Sequence, residues 1–253
     1  MAKNIFITGG SSGIGLSLTE LYLKRGDRVG ILGRDQKKWD LNPSSQNSNT
    51  SFHKALIEER SQVKSAMQDF VKRYGPIDVL IVNAGIGNTH KSPIPDFDSS
   101  ENILRVNVLG SLYTIESGFE LMYPHKKGQI TIISSVAGYL GLAGNAAYCA
   151  SKSALQRMAE SYAIDFANFG IHVMCVSPGF VKTPLTQENS HKMPFIITAE
   201  KAAKLIAKGI DTKKIWMGFP WQLYGLMSFL SLVPSGFYIW LSQKLKLNLY
   251  KKL

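Results

Sequence analysis

The sequence predicts an α/β protein built on one doubly wound parallel sheet, and three observations carry that prediction. Short apolar runs recur along the 253 residues and alternate with longer segments of helical periodicity. A glycine-rich turn, TGGSSGIG (Thr8 to Gly15), follows the first run and opens the first helical segment. The runs also lack a regular polar alternation, so their residues must be buried on both faces. Strands of that kind belong to a parallel sheet between two helical layers. Right-handed crossovers then give seven strands the simplest order, 3-2-1-4-5-6-7.

Taken in order, KNIFIT reads as strand one, and GIGLSLTELYLKRG puts Ile14, Leu18, Leu21 and Tyr22 at helical spacing. RVGIL is strand two. RDQKKWDL makes a short helix that runs into NPSSQNSNTS, whose polar, turn-forming residues predict a solvated loop. SFHKAL is strand three, ERSQVKSAMQDFVKRY a helix and PIDVLIVNAG strand four. Beyond a loop holding Pro93 and Pro95, one long helix is expected from roughly 99 to 122. GQITIIS is strand five, followed by a helix from about 147 to 169. IHVMCVSPG, AEKAAKLIAKGI and KKIWMG complete the pattern as strand six, a helix and strand seven. No repeat or linker divides the chain. Residues 1–216 are therefore expected as one domain, with 217–253 as an apolar helical extension.

Composition narrows the classes. Hydrophobic residues make up 45% of the chain, ordinary for a protein with a full core. Cys149 and Cys175 show neither metal spacing nor a paired framework, so a reducing, cytoplasmic location is expected and no metal. MAKNIFITGG turns glycine-rich too early for a secretory signal. The net charge of +11 is uneven: eleven Lys against three acids from Lys182 onward give +8, leaving +3 for the first 181 residues. Such an excess suits nucleic acid, an anionic membrane or an acidic substrate. No zinc spacing, aromatic RNA-binding motif or basic zipper accompanies it, so nucleic acid is not expected as a partner.

The turn after strand one suits a pyrophosphate. Glycines let the backbone approach, and the helix N-terminus offers unpaired N–H groups and a positive dipole end. An acid at the end of strand two would bind a ribose 2′-hydroxyl, but GILGRDQKK places Gly33 there, followed by Arg34 and then Lys37 and Lys38. Arginine's planar fork fits phosphate oxygens, so NADP(H) is expected over NAD(H). Asp35 stands one position too far, unless it rotates in; the charges could equally be a solvated helix start.

With TGxxxGxG, NAG at 83 to 85 and YxxxK in view, the chain resembles the short-chain dehydrogenase/reductase family over about residues 3 to 216. The resemblance implies a Rossmann-type domain and a catalytic set of Asn107, Ser135, Tyr148 and Lys152. Ser135, thirteen residues before Tyr148, has the family's spacing; its neighbour Ser134 does not. The family implies cofactor contacts at Gly9, Ser11, Ser12, Gly13, Ile14 and Gly15 of the turn, and at Asn83, Ala84 and Gly85. It adds Pro178, Gly179 and Thr183 from SPGFVKT beside the nicotinamide, with Lys152 on the ribose and Asn107 anchoring a water. It also implies a homodimer or homotetramer. One departure is Leu56, where the family has an aspartate near the adenine.

Tyr148 and Lys152 share a helix face at i, i+4, so an ammonium near the phenol is expected to favour the phenolate and lower its pKa. That prepares an acid for carbonyl reduction, with Ser135 donating a hydrogen bond to the substrate oxygen. The expected activity is hydride transfer between NADP(H) and an apolar ketone, aldehyde or alcohol. A 3-oxoacyl-thioester reductase is the alternative enzyme, and a catalytically idle dinucleotide-binding regulator the alternative of another class. Cys149 and His191 are expected to pack and to be solvated, respectively. The segment 215 to 243 carries no charge and is flanked by Lys213, Lys214 and Lys244. Pro234 and scattered polar residues favour two short helices over a membrane span, and Trp216, Trp221, Tyr224, Tyr238 and Trp240 suit peripheral membrane contact or an entry patch for an apolar substrate, with packing against a partner subunit as the alternative.

Overall fold

The computed structural model describes residues 2–87, 95–187 and 193–245. In chain order the elements are β1 (Asn4–Thr8), α1 (Gly13–Lys24), β2 (Arg28–Gly33), α2 (Gln36–Asp40), β3 (Thr50–Lys54), α3 (Arg60–Tyr74) and β4 (Val79–Val82). Then follow α4 (Phe97–Leu104), α5 (Gly110–Met122), β5 (Gly128–Ile133), α6 (Ala146–Asp165), β6 (Ile171–Pro178), β7 (Val181–Lys182) and α7 (Pro184–Gln187). The chain closes with β8 (Ile197–Thr198), α8 (Ala199–Asp211), β9 (Trp216–Phe219), α9 (Trp221–Leu230) and α10 (Ser235–Lys244). Seven strands form a parallel sheet in the order β3-β2-β1-β4-β5-β6-β9. This is the expected order. The seventh sheet strand is ninth in the chain because β7 and β8 pair separately as a two-stranded ribbon.

Burial explains why the strands read as unbroken apolar runs. Successive side chains point to opposite faces. On β1, Ile5 and Ile7 enter one core with Leu18 and Tyr22 of α1 and Ala203 and Ile206 of α8. Phe6, between them, enters the other core with Phe70 of α3, Ile115 of α5 and Leu155 of α6. β4 divides in the same way, with Val79 and Ile81 on one side and Leu80 and Val82 on the other.

The single helix expected from 99 to 122 is two helices. Asp96 accepts a hydrogen bond from Ser99 N (3.0 Å) and starts α4 two residues early. A π-helical turn over Arg105–Leu109 then separates α4 from α5. Such a turn inserts one residue into the ladder and re-aims the side chains on it; here it carries Asn107. The helix expected to reach 169 ends at Asp165 and tightens into a 3-10 turn over Phe166–Phe169. The loop 42 to 49 contains a further 3-10 turn, started by Asn42 accepting from Ser44 N (2.9 Å). Pro93, His191, Lys246, Lys251 and Lys252 lie outside the described residues.

Phe70 is fully buried and meets the Phe6 ring edge-on at 5.4 Å between centroids. Phe70→Ala should therefore cost about 3–5 kcal/mol. Leu41, exposed beside α2, should change stability by less than about 0.5 kcal/mol when replaced by alanine. Urea unfolding of the two variants measures the contrast, and equal midpoints would contradict this packing.

Candidate active site

Thr8 ends β1, and its hydroxyl accepts hydrogen bonds from Asn83 N (3.0 Å) and Ala84 N (3.2 Å) beyond β4. Asn83 Nδ2 returns a bond to Thr8 O (3.0 Å). This clamps the two strands where the sheet order reverses, the place at which open α/β sheets form a crevice. The turn from Thr8 then doubles back into α1. Gly9 has φ +68°, a left-handed backbone, and a Cβ on Gly15 would overlap Gly9 O. Ser12 caps α1 without a side-chain hydrogen bond to it, so the first-turn N–H groups face the crevice with their positive dipole end.

A cavity of about 180 Å³ opens here, between this turn, the residues after β4 and β5, and the end of β6. Gly9, Ser12, Gly13, Ile14, Asn83, Ala84 and Gly85 line it on one side, and Ser135, Tyr148, Lys152, Pro178, Gly179 and Thr183 on the other. Ser11, Gly15, Arg34 and Asn107 do not line it. Gly15 lies beneath the turn. Ser11 reaches toward the end of β2, where a Cβ on Gly33 would stand 3.4 Å from its Oγ. Arg34 is exposed beside it, with no hydrogen bond or ion pair among the described residues. Asp35 does not rotate in: its carboxylate accepts from Lys38 N (2.9 Å) and caps α2. Leu56 is exposed just past β3.

At the end of β5 the two serines part. Ser134 Oγ donates to Lys152 O (2.7 Å) and belongs to the packing of α6. Ser135 Oγ caps the next turn by accepting from Ala137 N (3.1 Å) and donates to Pro178 O (3.4 Å), and it lines the cavity together with Tyr148. Lys152, one helical turn beyond Tyr148, is buried, with Nζ 5.8 Å from the tyrosine ring centroid. Its ammonium donates to Ile133 O (3.1 Å).

This geometry overturns the expected pKa shift. The Tyr148 phenol is raised above its ordinary value, because desolvation outweighs the Ser135 hydroxyl, which pulls it down. The ammonium of Lys152 points toward Ile133 O and is itself depressed from 10.5 to about 8, chiefly by burial. Sharing a helix face was not enough; the direction of the lysine terminus decides the coupling.

Asn107 also departs from expectation. It is fully buried on the π-turn, and its amide is engaged by protein on both sides. Oδ1 accepts from Ile86 N (2.8 Å), while Nδ2 donates to Ile86 O (2.9 Å) and Ser151 Oγ (3.0 Å). The side chain therefore braces the loop after β4 against α6 and is not turned to hold a water in the cavity. Two supporting residues escaped the motif reading. Ser151 links Asn107 to Tyr148 O (2.7 Å). Gln156 is buried, and its Nε2 holds Ser135 O (3.0 Å) and Ser177 Oγ (3.3 Å). Gln156 follows Lys152 at i+4, the one sequence signal that it faces the same strand ends.

The family model for short chain dehydrogenases matches residues 3–194. The chain belongs to that family. An oxidoreductase of Myxococcus xanthus, itself uncharacterized, is 32% identical over 224 residues, 87% of this chain and 88% of that protein. The 2-(R)-hydroxypropyl-CoM dehydrogenase of Xanthobacter autotrophicus is 32% identical over 202 residues, 74% of this chain and 78% of that enzyme. Among solved structures, ElxO with NADP bound superposes with a TM-score of 0.78 at 28% identity, covering 86% of this chain and 97% of that one. Short chain dehydrogenases bind a nicotinamide dinucleotide. The open turn, the free N–H groups of α1 and the buried cation of Lys152 fit that anionic group.

Lys152 lines the cavity, and burial depresses its amine from 10.5 to about 8, so its charge is lost progressively as pH rises through that value. Its cation attracts the dinucleotide, so affinity should hold below that value and weaken as pH rises through it. Calorimetric titration of NADPH on both sides of pH 8 measures this, and Lys152→Met should remove the step. An affinity in the unaltered protein that ignores this pH range would take the amine out of dinucleotide binding.

Proposed function

We propose that the protein reduces an apolar ketone or aldehyde to the alcohol at the expense of NADPH. The observation that carries the reading is that Ser135, Tyr148 and Lys152 line one cavity beside the glycine turn, with Lys152 one helical turn beyond Tyr148. The bound cofactor supplies the hydride. The chain's own part is to orient the carbonyl and provide a proton. Ser135 and Tyr148 both line the cavity, and their hydroxyls are the groups that would donate to a carbonyl oxygen there as negative charge develops. Tyr148 keeps its proton until then, because burial holds the phenol above its ordinary pKa; it is placed to give that proton up to an alkoxide, a far stronger base. Lys152 holds the cofactor's ribose side through its cation. Asn107, Ser151 and Gln156 position these groups without touching the substrate. Ile133, Val181, Pro184 and Leu185, with Ser134 and Thr186, complete the lining, and the four apolar side chains favour an apolar substrate.

Preference for NADPH is supported at the end of β2. Arg34 stands exposed beside Ser11, while the one nearby acid, Asp35, is spent on capping α2. A 2′-phosphate there would find the Arg34 guanidinium and the Ser11 hydroxyl as donors, with the Asp35 carboxylate held at the start of α2 by Lys38 N. The ElxO structure, at 28% identity, contains NADP, which agrees with this reading.

Tyr148→Phe should lower kcat by about 10²–10⁴-fold, the usual contribution of a general acid, and leave NADPH affinity within about twofold. NADPH absorbance with a panel of apolar ketones and aldehydes measures the first, and fluorescence titration the second. Retained turnover would remove Tyr148 as the acid. Arg34→Ala should weaken NADPH binding by about ten- to hundredfold, equivalent to about 1.5–3 kcal/mol for a charge-assisted hydrogen bond, with NADH affinity unchanged. Equal losses for both cofactors would show that Arg34 does not read the 2′-position.

A further inference from the structure

We infer that α9 and α10 form a docking surface for an anionic lipid bilayer. The two helices are ten residues each and meet at a bend of 113°. Only α9 is packed into the domain: Leu223 and Met227 bury themselves against Val136. Its opposite side leaves Trp221 77%, Phe229 66% and, just beyond it, Leu232 80% exposed. α10 has no buried residue, although Phe237, Ile239 and Trp240 are all on it. Among the described residues it is hydrogen-bonded to the domain through Tyr238 Oη, which donates to Gly141 O (2.8 Å).

An apolar surface of this extent is costly in water and marks a place of contact. Charge identifies the occupant. From Thr212 to Leu253 the chain has six Lys and no Asp or Glu. Lys213 and Lys214 are exposed before the apolar stretch, and Lys244 lies 4.7 Å over the Trp240 ring after it. Lys244 beside Trp240, at the border of the apolar surface, matches a headgroup layer, with the ring at the boundary and the cation among lipid phosphates. A second copy docked symmetrically on the same face would bring lysine ends together with no acid from that segment to meet them. Each helix is about 15 Å long, half the hydrocarbon thickness. No single helix among the described residues is long and apolar enough to cross a membrane. The sharp bend suits a pair lying along the surface.

The test is flotation of the full chain with vesicles of phosphatidylcholine alone and of phosphatidylcholine mixed with phosphatidylglycerol. The protein should float with the mixed vesicles, lose most of that binding in high salt, and show a blue shift of tryptophan emission. A combined Trp221→Ser, Phe229→Ser, Leu232→Ser and Trp240→Ser variant should lose flotation yet keep its circular dichroism and NADPH affinity. Lys244→Glu, which leaves the apolar surface whole, should weaken flotation with anionic vesicles alone. The inference fails if the unaltered protein stays out of the anionic vesicles, or if the serine variant floats equally well. It fails also if light scattering shows a dimer that the serine variant dissolves, because the surface would then join two copies. None of these readouts depends on turnover, so they stand apart from any failure of the reductase reading.

Discussion

The active-site edge of the sheet depends on a buried amine reaching one carbonyl, Lys152 Nζ to Ile133 O at 3.1 Å. The contact ties the first half of α6 to the end of β5. Once it is made, Tyr148, one turn earlier, faces Ser135 across the same strand end, and Gln156, one turn later, holds the carbonyl of Ser135 from behind. Three successive turns of one helix thus define the position of a strand terminus. The amine is also out of water, which disfavours its charge. Among the described residues the amine has one hydrogen-bond partner, the neutral carbonyl of Ile133, and an anionic or hydroxyl-rich ligand in the cavity would add a second.

The same edge of the sheet holds Ile86, just after β4, through one side chain. Ile86 is bonded through both its N–H and its C=O to Asn107, whose amide continues to Ser151 and so to α6. The π-turn allows this by rotating Asn107 inward from a helix whose regular ladder runs on either side. A strand end, a helix and a loop are braced by one side chain with no charge of its own. Removing the amide would leave buried backbone groups of Ile86 unpaired, a larger penalty than loss of an exposed hydrogen bond.

The sequence disclosed what is local or repeated. Apolar runs such as VLIV had to be strands between two layers, since β4 delivers residues to both cores. The glycine turn, YxxxK and the serine thirteen residues before the tyrosine were visible as motifs because close backbone approach and helix-face spacing are short-range demands. What stayed hidden depends on distant partners. The π-turn answers to Ile86, twenty-one residues from Asn107. The raised phenol of Tyr148 reflects burial that only the assembled fold creates. Asp35 was ambiguous in sequence because capping a helix and binding a ribose call for the same carboxylate; the backbone of Lys38 resolved it.

The extension after β9 joins the active-site wall to the outer surface. A Cβ on Gly179 would stand 2.7 Å from Leu223 Cδ2, so the backbone beside the cavity and the inner face of α9 are in direct contact. Trp216 Nε1 donates to Tyr139 Oη (2.9 Å), and the Tyr139 and Tyr224 rings pack edge-on, fastening β9 and α9 to the turn that follows Ser135. A helix fixed so firmly on one side and left so apolar on the other cannot change its outer contacts without pressing on the wall. Contact of that outer face with lipid would place the cavity near the phase in which apolar carbonyl compounds concentrate.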